Sequence, residues 1–479
     1  MVLLKTNAAQ YFNDIAEEIR LFLGMVDIES EGEGAELEMV VNLFEDRAEA
    51  KILPQGFESR QHFEYDKSDP LDKKRMEKRA VKLAVFELMA KVAPADTPWG
   101  ALTGIRPTKL FRELTERHGE AEAMRMFLKV FCVSPQKTEL ARRICRVQAP
   151  IISDALERDA DVYIGIPYCI SRCLYCSFGS EVAKSPTELE EYLAYLKRDI
   201  HAGAQLLKEG GYRVRAVYIG GGTPTVLSAD QLTELFACIQ NSYQGFDREF
   251  TVEAGRPDTI TREKLQTMRD FNVQRISINP QTMCDRTLRL VGRMHTAEDI
   301  KACFELAREM GFFSINMDII AGLTGEDEAV FSDTLKRIIE LSPDNLTVHT
   351  LAIKRSSRLK ESLSQYETTQ PSVVKNMVDL GAEAAEKLGM HPYYMYRQKY
   401  MSGNLENVGY AKQGKDCIYN VDMMEETVSI IAHGANAMTK RVIPRENRVE
   451  RLKNPKDVAT YKNKAELLFE RKKELFLQD

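Results

Sequence analysis

Apolar and polar residues alternate along ELEMVVNLFEDRAEAKIL, residues 36–53, and this period of two predicts strands in a small α/β unit over residues 1–65. The period then changes. In DPLDKKRMEKRAVKLAVFELMAKVA, Met76, Val81, Leu83, Val85, Leu88, Met89 and Val92 fall at helical spacing, which predicts a partly buried helix with a basic outer face. The stretch TPWGALTGIRPTKLF, residues 97–111, holds two glycines, two prolines and the one tryptophan, so it reads as a turn packed against a helix start. Arg106 and Lys109 would make it a minor candidate for an anion loop. Helical pattern runs on from there, so residues 66–155 form a helical region.

After residue 160 short β-rich runs recur: DVYIGI, RAVYIG, EFTVEA, VQRISIN, FSINMDIIAG and NLTVHTLAI. Helical stretches separate them, among them PTELEEYLAYLKRDIHAGAQLL, SADQLTELFACIQ and TAEDIKACFELAREM. Six β/α units in succession predict parallel strands covered by helices over residues 156–360. Polar residues recur at the C-terminal end of each run in turn, which favours a partial (β/α)6 barrel over a doubly wound sheet. Residues 361–479 form a C-terminal α+β extension, and in HPYYMYRQKYMSGN the alternation Tyr394, Tyr396, Gln398 predicts a strand beside the barrel.

Composition narrows the function classes. Sixty-six basic against seventy-two acidic residues give a net charge of −6, so no global basic footprint for nucleic acid exists. No apolar run approaches the roughly 18–20 residues of a membrane helix, and the first twenty residues lack the pattern of a secretory signal. The nine cysteines are odd in number and mostly isolated, unlike a disulfide framework, so the expected compartment is the reducing cytoplasm. Cys132, Cys145, Cys238, Cys284 and Cys303 fall in helical pattern and, with Cys417, read as buried structural thiols. His433 in IIAHGANAM reads as a hydrogen-bonded structural histidine, with axial heme ligation as the alternative.

The exception is YIGIPYCISRCLYCSFGS, residues 163–180, on the loop after the first barrel strand. A structural zinc site wants four ligands, commonly two spaced pairs, and here there are three cysteines with no second pair or histidine nearby. A Cys173/Cys176 redox pair would leave Cys169 unexplained. Three thiolates can hold three irons of a [4Fe–4S] cube and leave the fourth open to a ligand. GGGTP follows the second strand, Glu253 ends the third, Gln281 ends the fourth with Arg293 twelve residues on, and Asp318 sits on the fifth. Carboxylates and amides can bind ammonium or ribose hydroxyls, and a guanidinium can hold a carboxylate bidentately.

The Cx3Cx2C spacing at the end of a first barrel strand resembles the radical S-adenosylmethionine (SAM) superfamily. YIGIPYC, IGGGTPTVLS, VEAGRPD, ISINPQT and INMDIIAGL resemble its oxygen-independent coproporphyrinogen III oxidase group over residues 160–440. TGIRPTK and MYRQKYMSGNLENVGYAKQGKDCIYNVDMMEE resemble the HemZ-type coproporphyrinogen dehydrogenase branch. The resemblance implies a [4Fe–4S] cluster on Cys169, Cys173 and Cys176, with SAM on its open iron. It also implies cleavage of SAM to a 5′-deoxyadenosyl radical. By the same resemblance Tyr163, Gly221 and Glu253 match contacts to the cluster-bound SAM. Tyr175, Gly222, Thr223, Gln281, Arg293, Asp318 and Ala352 match contacts to a second SAM.

The implied reaction is oxidative decarboxylation of coproporphyrinogen III propionates to vinyls, giving protoporphyrinogen IX. The implied partners are a tetrapyrrole substrate and a flavodoxin- or ferredoxin-like electron donor. Arg397, Lys399 and Tyr400 are candidates to meet the propionates. The chain departs from the oxidative decarboxylases at Gly165, where they carry histidine, and at Phe178, where they carry a fourth cysteine. A heme chaperone is an alternative, but heme-trafficking relatives carry a histidine where Tyr419 stands and a tryptophan after it, so the resemblance favours the oxidase group. A radical SAM methyltransferase acting on heme is another.

Overall fold

The computed structural model describes the chain except residues 25, 70, 105, 184, 247, 354–356, 362–368, 400, 447, 478 and 479. Contacts divide it into two compact units, Met1–Arg142 with Gly403–Leu405, and Arg143–Ser402 with Glu406–Asp479. The first is built on β1 (Val2–Thr6), β2 (Ile28–Glu29), β3 (Leu37–Leu43), β4 (Arg47–Leu53) and β5 (Glu58–His62). Their order is β2-β1-β3-β4-β5, with β1 parallel to both neighbours and β3 to β5 antiparallel. The alternation of residues 36–53 is that of a sheet with one buried face: Met39, Val41, Ala48, Ala50 and Ile52 join a core with Ile15, Ile19, Val81, Val85 and Leu88. Those last five come from helices Phe12–Leu23 and Asp72–Val92. Trp99 is buried in the turn before helix Pro107–His118, whose first turn contains Lys109 and which Arg106 precedes.

The second unit carries an open sheet of eleven strands. Six are parallel and in sequence order: β6 (Asp159–Ile166), β9 (Arg213–Gly221), β10 (Glu249–Gly255), β11 (Arg275–Ile278), β12 (Ser314–Ala321) and β13 (Asn345–Thr350). A two-residue pair, β7 (Tyr168–Cys169) and β8 (Glu181–Val182), closes the loop after β6. These six strands are the partial barrel that the β/α rhythm predicts. Their near-continuous burial is what a sheet covered by helices requires. The helices between them begin at polar caps that fix their starts: Ser185, Thr261 and Asp327 each accept from a backbone N–H three residues on, and Ser228 and Thr296 form reciprocal boxes with Gln231 and Asp299.

Strands from the C-terminal region extend this sheet at both ends. β14 (His391–Tyr396) and β15 (Asn407–Ala411) add antiparallel beyond β13. β16 (Ser429–His433) lies parallel to β6, followed by antiparallel β17 (Met438–Ile443) and β18 (Arg448–Lys453). Two details correct the sequence expectation for the scattered cysteines. Cys132 is exposed in a turn with φ 56°, and Cys284 caps a helix from outside it; Cys238, Cys303 and Cys417 are buried. His433 is buried and bonded, its Nδ1 3.1 Å from Asp199 and its Nε2 2.6 Å from the Tyr243 hydroxyl. It does not line the cavity described next.

Candidate functional site

A cavity of about 560 Å³ opens at the C-terminal ends of the parallel strands. All thirteen site residues expected from the sequence line it: Cys169, Cys173 and Cys176; Tyr163 and Tyr175; Gly221, Gly222 and Thr223; Glu253, Gln281, Arg293, Asp318 and Ala352. They come from six strands and the loops that follow them. That convergence is a property of parallel β/α topology, which brings every strand's C-terminal end to one rim.

The cysteine loop is held from below by the glycine run. Gly222 N–H donates to the Ile166 carbonyl at 2.7 Å and Thr223 N–H to the Tyr168 carbonyl at 2.8 Å. A Cβ on Gly222 would stand 2.4 Å from the Tyr168 oxygen, so this glycine is required by the protein's own backbone. The Thr223 hydroxyl then lies 3.4 Å from Cys169 Sγ, as a donor to the sulfur. Arg256, which sequence reasoning passed over inside VEAGRPD, is buried and clamped by Asp258 and by the Ser171 hydroxyl, both at 2.7 Å. Its Nη1 stands 4.0 Å from Cys173 Sγ. Burial pushes the Cys176 thiol up to about 11, so ionisation there needs a cation to favour it.

Among the described residues no three His, Cys, Asp or Glu groups surround a point as the ligands of one metal ion do. A mononuclear zinc site needs that arrangement. Three cysteines that each hold a different iron do not. What fits a cube is the donor set itself: three thiols on one short loop, with hydrogen-bond donors directed at two of the sulfurs.

The rest of the cavity lining is polar. Asp318 is fixed by Asn316 Nδ2 at 2.7 Å and by His349 Nε2 at 3.6 Å. Burial opposes its charge, but His349, Asn316 and Thr347 outweigh that and hold the carboxyl below its usual range. Arg293 is buried and donates to the Asn279 carbonyl at 2.5 Å, while its Nε and the side-chain oxygens of Asn279 and Ser277 have no protein partner. Such orphaned buried groups around a cavity fit a polar ligand. Glu253 accepts from the Tyr218 hydroxyl at 2.6 Å, and burial raises its carboxyl to about 7.

Tyr163, Tyr218 and Tyr419 stack in near-parallel planes, with Tyr218 and Tyr419 centroids 4.4 Å apart. Tyr419 comes from helix Ile418–Glu425, which also brings Asn420, Met423 and Met424 to the cavity. Glu249 holds the start of that helix, accepting from Ile418 N–H at 2.8 Å and Tyr419 N–H at 2.9 Å. A buried Arg215–Asp422 pair at 2.9 Å holds its middle. The period-two reading of β14 survives here: Tyr394, Tyr396 and Gln398 line the cavity. Arg397 and Lys399 do not; Arg397, just past the end of the strand, is buried, and Lys399 is exposed. Tyr400 lies outside the described residues. Gly165 and Phe178 line the cavity. Asn279, Asn316 and His349 were missed, although they stand two, two and three residues before the marked Gln281, Asp318 and Ala352.

Comparison with known proteins agrees with this geometry. The model of the radical SAM superfamily matches residues 163–338. The chain is 34% identical over 414 residues to the oxygen-independent coproporphyrinogen-III oxidase-like protein HemZ of Bacillus subtilis, covering 85% of this chain and 83% of that protein. It is 29% identical to the heme chaperone HemW of Haemophilus influenzae, over 62% of this chain and 74% of the relative. Among solved structures, coproporphyrinogen III oxidase (HemN) of Escherichia coli superposes with a TM-score of 0.54 at 23% identity, over 68% of this chain and 73% of that one.

Proposed function

Because the chain belongs to the radical SAM superfamily, in the HemZ-like group of coproporphyrinogen III oxidase-like proteins, we propose that its cavity carries out oxidative decarboxylation of coproporphyrinogen III. Each of two propionates would give up a hydrogen atom to the SAM-derived radical, then CO₂ and one electron, the electron passing to a one-electron acceptor, to leave a vinyl and give protoporphyrinogen IX. The family uses a [4Fe–4S] cluster and SAM. When bound, these supply a carbon-centred radical able to take hydrogen from an unactivated C–H bond. The observation that carries the reading is the convergence of the three cysteines and ten strand-end residues on one cavity.

The chain's own residues have separable tasks. Cys169, Cys173 and Cys176 would hold the cluster, with Thr223 and Arg256 donating toward two of the sulfurs. Glu253, once ionised, would accept from the SAM amino group, beside Gly221 and Tyr163. Gln281, Arg293 and Asp318, with Tyr175, Gly222, Thr223 and Ala352, would take a second SAM. Arg293 and Asp318 are already oriented by Asn279, Asn316 and His349, so they need little reorganisation on binding. The aromatic wall of Tyr163, Tyr218 and Tyr419 offers flat apolar surface to a macrocycle and excludes water from it. The electron donor would be flavodoxin- or ferredoxin-like, and the site of action the cytoplasm. Among the described residues no helix is long and apolar enough to cross a membrane.

A second reading is favoured by the part of the cavity lining that the C-terminal region supplies. Among the described residues its large side chains are Tyr394, Tyr396, Gln398, Asn407, Tyr419, Asn420, Met423, Met424 and Met438, none of them cationic, and the cavity's arginines all lie on the barrel side. Coproporphyrinogen III carries four carboxylates and heme carries two, so a neutral wall suits heme as ligand or methyl acceptor. Anaerobic incubation of the loaded protein with SAM, a reductant and each tetrapyrrole separates the readings. CO₂ release from coproporphyrinogen III, lost in Cys173→Ala, supports decarboxylation. No CO₂, with tight heme binding or a methylated product, overturns it in favour of a heme-directed role.

A further inference from the structure

In VEAGRPD, at the end of β10, Arg256 and Asp258 flank a proline that opens the short turn Pro257–Thr259. The turn brings the two side chains together. Asp258 takes one edge of the guanidinium, accepting from Nε at 3.1 Å and from Nη2 at 2.7 Å. Nη1 points the other way, donating to the Ser171 hydroxyl at 2.7 Å and standing 4.0 Å from Cys173 Sγ. The Thr259 hydroxyl donates to the Arg256 carbonyl at 2.9 Å, and Lys264 Nζ to the Thr259 carbonyl at 2.9 Å, so the turn is fixed by the protein itself. On the far side of Asp258, His295 Nδ1 stands 3.7 Å from the carboxylate.

Arg256 is 3% exposed and Cys173 8%, so the charge and the sulfur meet away from water. A buried ion pair adds little net stability, because desolvation of both charges offsets their attraction. What this pair does provide is direction: its cationic end faces the cysteine loop and its anionic end lies behind. Burial would raise the Asp258 carboxyl, but His295 and Arg256 outweigh it and hold the group below its usual range, so it is charged at neutral pH. A guanidinium beside Cys173 favours negative charge there, and a carboxylate behind it weakens that preference. Hydrogen bonds to the sulfurs and nearby charge are levers that set the potential of an iron–sulfur cluster.

We propose that Arg256 and Asp258 are positioning residues that set the reduction potential of the cluster, the arginine raising it and the aspartate holding it down. The proposal rests on the cluster reading of Cys169, Cys173 and Cys176, and not on which tetrapyrrole is the substrate. Reduction brings one electron from an external reductant into the cluster, and no bond to Arg256 or Asp258 forms or breaks. The guanidinium stabilises the added negative charge, and Asp258 takes back part of that stabilisation. The two together let a reductant load the cluster while leaving it a strong donor once loaded.

The test is a potentiometric titration of the full chain with its cluster reconstituted, without SAM or tetrapyrrole, reading the reduced cluster by electron paramagnetic resonance. Asp258→Asn keeps the shape and removes the charge. Its midpoint should rise by about 59 mV, a tenfold shift of the one-electron equilibrium. Arg256→Gln should move the midpoint down by a similar amount. Arg256→Lys, which keeps the charge without the planar fork, should fall between Arg256→Gln and the parent. A merely structural role would loosen the cysteine loop in either variant and shift both the same way. A parent-like midpoint in Asp258→Asn, or shifts of one sign in Asp258→Asn and Arg256→Gln, overturns the proposal. Should Arg256→Gln fail to hold iron, Asp258→Asn decides alone, since that side chain is 21% exposed and reaches the loop only through Arg256. A parent chain that takes up no [4Fe–4S] cluster overturns the cluster reading and the proposal together. Opposite shifts without CO₂ release from coproporphyrinogen III overturn only the decarboxylation.

Discussion

At Glu253 burial and hydrogen bonding pull in opposite directions. Burial favours the neutral acid, the Tyr218 hydroxyl and the Gly221 backbone favour the carboxylate, and the balance is a group that ionises near pH 7. A neutral acid accepts from the SAM amino group more weakly, without the assistance of charge. SAM affinity should therefore rise as pH climbs through 7. Tyr218→Phe removes one of the bonds that favours the charge, so the midpoint should move upward by about one unit, equivalent to about 1.4 kcal/mol. A calorimetric pH series of SAM binding measures it, and an unmoved midpoint would separate Tyr218 from the ionisation. Glu253 itself was legible, since a carboxylate ending a barrel strand is chemically conspicuous. Tyr218 was not, because a tyrosine inside RAVYIG reads as strand core. Only the pairing of β9 with β10 puts its hydroxyl against the carboxylate.

At the scale of elements, the last helix, Ala465–Leu477, reaches the cavity rim through a buried polar chain. Lys472 Nζ lies 2.6 Å from Asp199, which accepts from the Tyr461 hydroxyl at 2.7 Å and stands 3.1 Å from His433. The strand end and turn that follow His433 supply Ala435, Asn436, Ala437 and Met438 to the cavity. Burial alone would raise the Asp199 carboxyl, but Lys472 and His433 reverse this and hold it well below the usual range. A depressed carboxyl contributes stability above its unfolded value, near pH 4, and loses it as pH falls below that. Lys472→Met leaves a buried charge uncompensated and should cost about 3–5 kcal/mol at neutral pH, with a flatter acid limb. Denaturant melts at neutral and acid pH check both. Helix starts were legible from their caps, because Ser228 and Thr296 satisfy local backbone N–H groups. The docking of the final helix was not, since its partners stand hundreds of residues away in sequence.

For the whole molecule, each unit has its own core, the first drawn from residues 2–93 and the second containing the cavity. The one tryptophan, Trp99, is buried in the first unit. A ligand stabilises what it binds by mass action. SAM at about a hundred times its dissociation constant should add about 2.7 kcal/mol to the barrel unit. The calorimetric transition of that unit should move up, while the midpoint seen by Trp99 fluorescence stays in place. Equal movement of both signals would mean that the units unfold together.

The sequence alone determined what depends on neighbours along the chain. The periods of two and 3.6, the polar caps and the three-cysteine spacing are local, and from them the parallel units and the cluster loop followed. The resemblance of its motifs to the family marked thirteen residues, all of which line the cavity, and parallel β/α order explains why strand ends so far apart in the chain meet there. Tertiary structure decided what depends on long-range pairing. It set β16 beside β6, stacked Tyr163, Tyr218 and Tyr419 from three separate segments, and turned Arg397 away while Gln398 faced the cavity. A one-residue change of register reverses the face a side chain takes, and no local pattern specifies which strand will lie alongside.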